Sequence, residues 1–160
     1  MKNISITKSD SNEITKLVET MKDAFTDDSI LYGEPPYGDN PIYEIEININ
    51  ENQCYSFYYD KELIGGMYLK QLDADEYRLK RIWIDRKNQN KGIGTILLKE
   101  IEKMITGCKR LSLDTPYKSF RNHHFYEKNG FIKMGKKKPT ASKLGKLDSN
   151  FTLFEYMKIV

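Results

Sequence analysis

Between Gln89 and Gly94 the chain reads Gln89-Asn90-Lys91-Gly92-Ile93-Gly94, a glycine-punctuated loop with a strand signal in front of it and a helical pattern behind it. Glycines let a backbone come close to a ligand. The first amides of the following helix have no partner inside it, and they lie at the positive end of the helix dipole. That combination attracts phosphate, so the loop predicts a phosphorylated cofactor held by backbone N–H groups. No Gly-Lys-Ser/Thr is present, which argues against a nucleotide site that holds phosphate through a Lys and Mg²⁺. His123 and His124 are adjacent, and helical neighbours face about 100° apart, so both cannot enter one site. One partly buried and one solvated histidine is the expected arrangement. Cys54 and Cys108 form neither a CxxC nor a metal-ligand spacing and read as buried reduced thiols. No metal site is expected.

These residues need elements to hold them. Ile82, Trp83 and Ile84 favour a buried strand running into the loop. Ile93, Ile96, Leu97, Ile101, Met104 and Ile105 then mark one face of a helix to Thr106. Upstream, Ile4 to Thr7 alternates as a first strand. Asp10 and Glu13 form a capping box ahead of a helix carrying Ile14, Leu17, Val18, Met21 and Phe25. From Asp27 to Pro41, Gly33, Pro35, Pro36 and Gly38 predict an irregular stretch, and Ile42 to Ile49 fits either a short helix or a strand. Gln53 to Tyr59 and Leu63 to Lys70 read as a hairpin, with Tyr77 to Ile84 as the next antiparallel strand. Downstream come a strand at Arg110 to Leu113, a helix from Phe120 to Lys128 capped by Asn129-Gly130, and strands beginning at Phe131 and spanning Phe151 to Lys158. Lys136 to Asn150, rich in lysine, reads as a connection between them. The order predicts an α/β (α+β) fold with helices on the faces of a mixed sheet.

The 160 residues predict a single domain, 1–160, with 39% hydrophobic and 31% charged residues as in ordinary globular proteins. The net charge of +3 is too slight to imply nucleic acid, though it suits an anionic cofactor. The N-terminus lacks the apolar core of a signal peptide, and no apolar run approaches the ~20 residues of a membrane span. A cytoplasmic protein with no membrane partner, monomeric or homodimeric, is the expectation.

One helix and one strand beyond the glycine loop lies Asn122-His123-His124-Phe125-Tyr126-Glu127-Lys128-Asn129-Gly130-Phe131. Together with Gln89-x-x-Gly92-x-Gly94 it resembles the GNAT N-acetyltransferase superfamily, whose motif A ends a strand in Q/R-x-x-G-x-G/A and whose motif B is an aromatic helix ending F/L-Y-x-x-x-G-F. The resemblance implies a GNAT fold: a mixed, mostly antiparallel sheet of about six to seven strands, splayed in the middle. It implies an acyltransferase moving an acetyl group from acetyl-CoA to an amine by direct attack, without a metal. Amides from Asn90 through Lys91, Gly92, Ile93 and Gly94 to Thr95 would cradle the pyrophosphate. The edge of Ile82, Trp83 and Ile84 would pair with the pantetheine arm, and an amide near Ile84 would polarise the thioester carbonyl.

Tyr126 matches the residue that protonates the departing thiolate, a role its phenol suits. The usual motif B asparagine is replaced by Ser119, and Asn122 stands closer to the tyrosine, so either could touch the pantetheine. The glutamate common on the strand before the loop is missing, which leaves Glu34, Glu44, Glu46 and Asp114 as candidates for the base that an ammonium acceptor requires. The acidic stretch from Asp27 to Glu44, with Tyr32, Tyr37 and Tyr43 as cation–π walls, suggests a small cationic amine. The rivals are a protein N-terminus or lysine as acceptor, and a CoA-binding regulatory module without catalysis.

Overall fold

The computed structural model describes residues 3–139 and 151–160. The elements are β1 (Ile4–Lys8), α1 (Ile14–Ala24), α2 (Thr26–Tyr32), α3 (Pro41–Asn50), β2 (Cys54–Tyr59), β3 (Glu62–Gln71), β4 (Glu76–Ile84), α4 (Ile93–Met104), β5 (Arg110–Pro116), α5 (Phe120–Lys128), β6 (Ile132–Lys137) and β7 (Leu153–Ile159). The seven strands form one sheet in the order β1-β2-β3-β4-β5-β7-β6. Every neighbouring pair is antiparallel except β4 and β5, which run parallel. This is the mixed α/β sheet with helices on its faces that the element order implied.

Local signals explain most boundaries. The Asp10–Glu13 capping box is formed and opens a single 3-10 turn that leads into α1. Asp60 and Lys61 adopt left-handed φ of 48° and 69°, the geometry of a tight two-residue hairpin turn between β2 and β3. In two stretches the structure goes beyond the sequence reading. Thr26–Tyr32 is helical, because the breakers stand at its end rather than inside it: Gly33 terminates it at φ 78°. Pro41–Asn50 is a helix despite the alternating isoleucines; Asn40 caps it through Tyr43 N at 3.1 Å and Pro41 opens it. Lys136 and Lys137 belong to β6 rather than to a connection, and residues 140–150 of that predicted connection lie outside the described residues.

The sheet separates two cores. One packs Leu17, Met21 and Ile45 of α1 and α3 against Tyr68 and Trp83. The other packs Ile93, Leu97, Leu98 and Ile101 of α4, with Tyr126 of α5, against Phe57, Met67 and Leu113. Of the predicted α4 stripe, Ile96 and Met104 are exposed, and Leu98 takes the buried place instead. Cys54 and Cys108 are free and buried, and burial pushes the Cys54 thiol up to about 11, where it stays protonated and unreactive at neutral pH.

The feature that positions a site is an interruption in the middle of the sheet. The parallel ladder between β4 and β5 runs from Glu76↔Arg110 to Leu79↔Leu113 and stops. Beyond it β4 stays paired only with β3, to Gly65↔Ile84, and β5 only with β7, to Pro116↔Leu153. The register explains the parting. Leu69 pairs with Leu79 and Tyr68 with Arg81, which leaves Lys80 as an extra residue in β4. Such a bulge bends its strand, and it sits where the two strands separate.

Candidate active site

The gap between β4 and β5 opens into a cleft with a cavity volume of about 100 Å³. Leu79 to Ile82 of β4 and Leu113 to Pro116 of β5 form its sides. Asn122 and Tyr126 of α5 close one end, and Phe25, Asp28, Tyr32 and Pro36 close the other. The cleft thus passes through the sheet, from the α4–α5 face to the α1–α2 face.

At the end of β4 the chain turns through Arg86–Asn88, tied down by Asp85, whose Oδ1 accepts from Asn88 N at 3.2 Å and Nδ2 at 2.6 Å. Asn90 and Gly92 then take left-handed φ of 59° and 79°, and Gly92 caps α4. A Cβ on Gly92 would meet nothing within 4 Å, so the backbone is open there. Lys91 is exposed, Thr95 is half-buried and Ile93 is buried in the core below. Gly94 is not an open approach: a Cβ there would lie 3.0 and 3.2 Å from the Phe125 ring. Its glycine lets α5 pack against the start of α4, a role the sequence reading did not foresee.

Gln89 likewise has an internal task. Its Nε2 donates to the Ile84 carbonyl at 2.7 Å, and its Oε1 accepts from Arg121 of α5 at 2.6 Å. The glutamine therefore braces the loop between β4 and α5 instead of offering its side chain to a ligand. The Ile84 carbonyl lies on the gap side of β4, so by strand alternation the N–H and C=O of Ile82 and Ile84 turn toward the gap and those of Trp83 toward β3. The Trp83 side chain points away from the cleft; it is 2% exposed, and its Nε1 donates to Thr20 Oγ1 at 3.1 Å.

Tyr126 lines the cleft, with its ring held in the core against Phe125, Phe131 and Tyr156. Burial pushes its phenol above the usual tyrosine value, so the hydroxyl keeps its proton through the neutral range. Asn122 also lines the cleft, whereas Ser119 is buried with its Oγ 2.9 Å from the Tyr32 hydroxyl. Of the two, Asn122 is the one that lines the cleft. His123 is buried, its Nε2–H donating to the Pro116 carbonyl at 2.9 Å, and His124 is exposed. Among the described residues no group of three or more His, Cys, Asp or Glu could hold a metal ion.

The expected carboxylates divide. Asp114 lines the cleft, but its Oδ2 pairs with Arg78 and, at 2.7 Å, with Lys137, so two cations already hold that oxygen. Glu34 lies after α2 and is not part of the cleft lining. Glu44 accepts both Arg81 Nε at 3.0 Å and a second Arg81 nitrogen at 2.8 Å, clamping α3 to β4. Glu46 is exposed on α3. Asp28, passed over as a base because only the net acidity of its stretch was legible, does face the cleft. Of Tyr32, Tyr37 and Tyr43, Tyr32 lines it, whereas Tyr37 packs on Phe25 at 6.3 Å and Tyr43 is exposed.

A model of the acetyltransferase (GNAT) family matches residues 16–131, from α1 through the glycine loop and α5. The chain belongs to the GNAT acetyltransferase family. This makes the protein an acyltransferase that depends on acetyl-CoA. Solved structures share the fold at low identity. PaiA N-acetyltransferase from Thermoplasma acidophilum, in complex with coenzyme A, is 20% identical over 99% of both chains with a TM-score of 0.72. A GNAT family acetyltransferase from Elizabethkingia anophelis with acetyl-CoA bound is 20% identical over 99% of both chains, at 0.71. The ribosomal-protein-S18-alanine N-acetyltransferase from Escherichia coli is 14% identical over 99% of this chain and 94% of its own, at 0.74. Comparison with curated protein sequences returned no match. Among the described residues of this GNAT acetyltransferase, no helix is long and apolar enough to cross a membrane.

Proposed function

We propose that this acetyltransferase modifies a primary amine of a small cationic molecule within the cleft between β4 and β5. The observation that carries the reading is the parting of those strands beyond Leu79 and Leu113, which leaves backbone groups and Tyr126 around one opening through the sheet. Acetyl-CoA supplies the activated acyl group. Amides from Gly92 to Thr95, at the open start of α4, suit its pyrophosphate. The N–H and C=O of Ile82 suit a pantetheine arm laid along β4 as an added strand, with Asn122 as a polar contact from α5. The Ile84 N–H is the donor for the thioester oxygen as negative charge builds on it. Tyr126 protonates the leaving sulfur.

Because burial disfavours the phenolate, Tyr126 must regain a proton as it gives one up, and the attacking nitrogen sheds one at that stage. The acceptor would enter from the α1–α2 face past Phe25, Asp28 and Tyr32, where an aromatic and a carboxylate together favour a cation. A second reading, acetylation of a peptide or protein amine, has one observation in its favour. Ile30 and Leu31 of α2, and Phe120 at the start of α5, are 78%, 49% and 72% exposed on the elements that frame the cleft.

Thiol release from acetyl-CoA across polyamines, amino acids, aminoglycoside-like amines, neutral amines and peptides decides between these. Preference for cationic small amines is expected. Preference for peptides would favour the second reading, and tight CoA binding without transfer to any amine would favour a regulatory module.

A further inference from the structure

We propose that Asp28 receives the acceptor's ammonium group in the cleft and takes its proton, freeing the amine for attack. The inference rests on the acyl-transfer reading above and names the residue which that reading leaves open. Asp28 and Asp114 are the carboxylates of the cleft lining. Asp114 is held through its Oδ2 by Arg78 and Lys137, so a cation arriving there meets two resident ones. Asp28 has neither a hydrogen bond nor an ion pair among the described residues, so an incoming cation displaces no partner from it.

The charges around Asp28 are arranged for proton exchange. Asp27, beside it on α2, repels its negative charge, and Arg121 reaches it from α5 with the opposite effect. Burial is the largest influence, and the net result is a carboxyl raised above the ordinary aspartate value, which makes it a stronger base than a solvated one. From β4, Arg81 is committed to Glu44, and Lys80 lies 3.4 Å from Asn48 Oδ1 and 3.5 Å from Gln53 Oε1. Tyr32 and Tyr126 also line the cleft but carry no charge at neutral pH. Arg121 is therefore the cation best placed to tune Asp28, and its bond to Gln89 Oε1 fixes where it stands.

The step balances. An ammonium proton passes to the Asp28 carboxylate, and the nitrogen lone pair forms the N–C bond to the thioester carbon. The C–S bond breaks as sulfur takes a proton through Tyr126, while the nitrogen loses its second. Asp28 then returns its proton to water. The net products are the amide, the thiol and one proton.

The test is the pH profile of kcat/KM for the best cationic acceptor, with CoA thermal shift as the readout of an intact cofactor site. Asp28→Asn should lower kcat/KM by roughly 10²–10³-fold, leave the CoA shift unchanged and remove the acidic limb of the profile. Asp28→Glu should recover part of the rate. Arg121→Met removes the cation that lowers the Asp28 pKa, so its acidic limb should move to higher pH. Full activity in Asp28→Asn overturns the proposal. So does a rate loss in which the acidic limb persists and ignores Arg121→Met, because that pattern belongs to a group other than Asp28. A wild type that binds CoA but acetylates no amine overturns the acyl-transfer reading itself, and the role of Asp28 with it. A working wild type beside an equally working Asp28→Asn overturns only the latter.

Discussion

On the α4–α5 side of the cleft, the groups proposed for the cofactor come from two short stretches, Ile82 to Thr95 and Asn122 to Tyr126. The opposite side draws Phe25, Asp28 and Tyr32 from the first helices and Asp114 and Thr115 from β5. The first wall works largely through backbone: free amides at a helix start, a strand edge turned to the gap, and glycines that set φ or admit Phe125. The second works through side chains whose meaning depends on their neighbours. Asp28 and Asp114 are the same residue type on the same cleft, yet among the described residues one makes no ion pair, with Arg121 acting on it only through its charge, and the other is bound by two cations. A backbone-built wall suits a constant ligand, and a side-chain wall suits an acceptor that varies.

The largest expected effect tests whether the first wall performs chemistry or only binds. Tyr126→Phe keeps the ring and its packing, so CoA affinity should hold while transfer falls by roughly 10²–10⁴-fold. The loss should appear in kcat and kcat/KM together, as for a contact made in the transition state. Unchanged turnover would hand the proton to water.

Next in size is the loop. Gly92→Asp places a carboxylate at the proposed phosphate site and should abolish the CoA thermal shift, which amounts to about 2.7 kcal/mol at a hundredfold excess over Kd. Gly92→Asn is the control, because asparagine tolerates the left-handed φ and adds no charge; it should keep the shift. Loss in both would mean that backbone strain, not charge, is responsible.

The support behind the second wall should answer in stability rather than in KM. Glu44→Ala strips the partly buried Arg81 of its partner and should cost about 1–3 kcal/mol, read by denaturant midpoint. A rise in KM for the acceptor with unchanged stability would place Glu44 in the pocket after all. Gly94→Ala forces the Phe125 ring to yield and should cost about 1 kcal/mol. It should also slow transfer, since α5 carries Tyr126.

The smallest effect concerns Asp28 and has a definite sign. Its pKa is raised in the folded state, so its ionised form opposes folding: stability is fully present below the unfolded pKa and is lost as pH rises through the folded one. Asp28→Asn should therefore melt slightly higher than wild type at neutral pH, and the difference should vanish below pH ~4. A neutral-pH Tm below wild type would show that the carboxylate is paired in solution.

Legibility followed the same division. The glycine loop and the Tyr126 helix could be found because each fits within about ten residues, and the Asp10–Glu13 box, the hairpin turn and the Asn129-Gly130 cap are equally local. Glu34, Glu44 and Asp114 could not be ranked, because an ion pair such as Glu44–Arg81 joins residues far apart in the chain. The alternating isoleucines of α3 left helix and strand open for a related reason: alternation is compatible with a helix once Asn40 and Pro41 start one and Ile45 finds the α1 core.

What the sequence determined by itself was therefore backbone conformation and element order: positive φ where glycine or asparagine permits it, helix starts where caps exist, and a family motif written in a few adjacent residues. The tertiary structure alone decided where β4 leaves β5. The extra residue Lys80 switches the faces of the strand, sending Arg81 and Trp83 toward α1 and α3 and Ile82 and Ile84 toward α4. It also decided which carboxylate makes no ion pair among the described residues, since that depends on the cations brought near each one by strands and helices from distant parts of the chain.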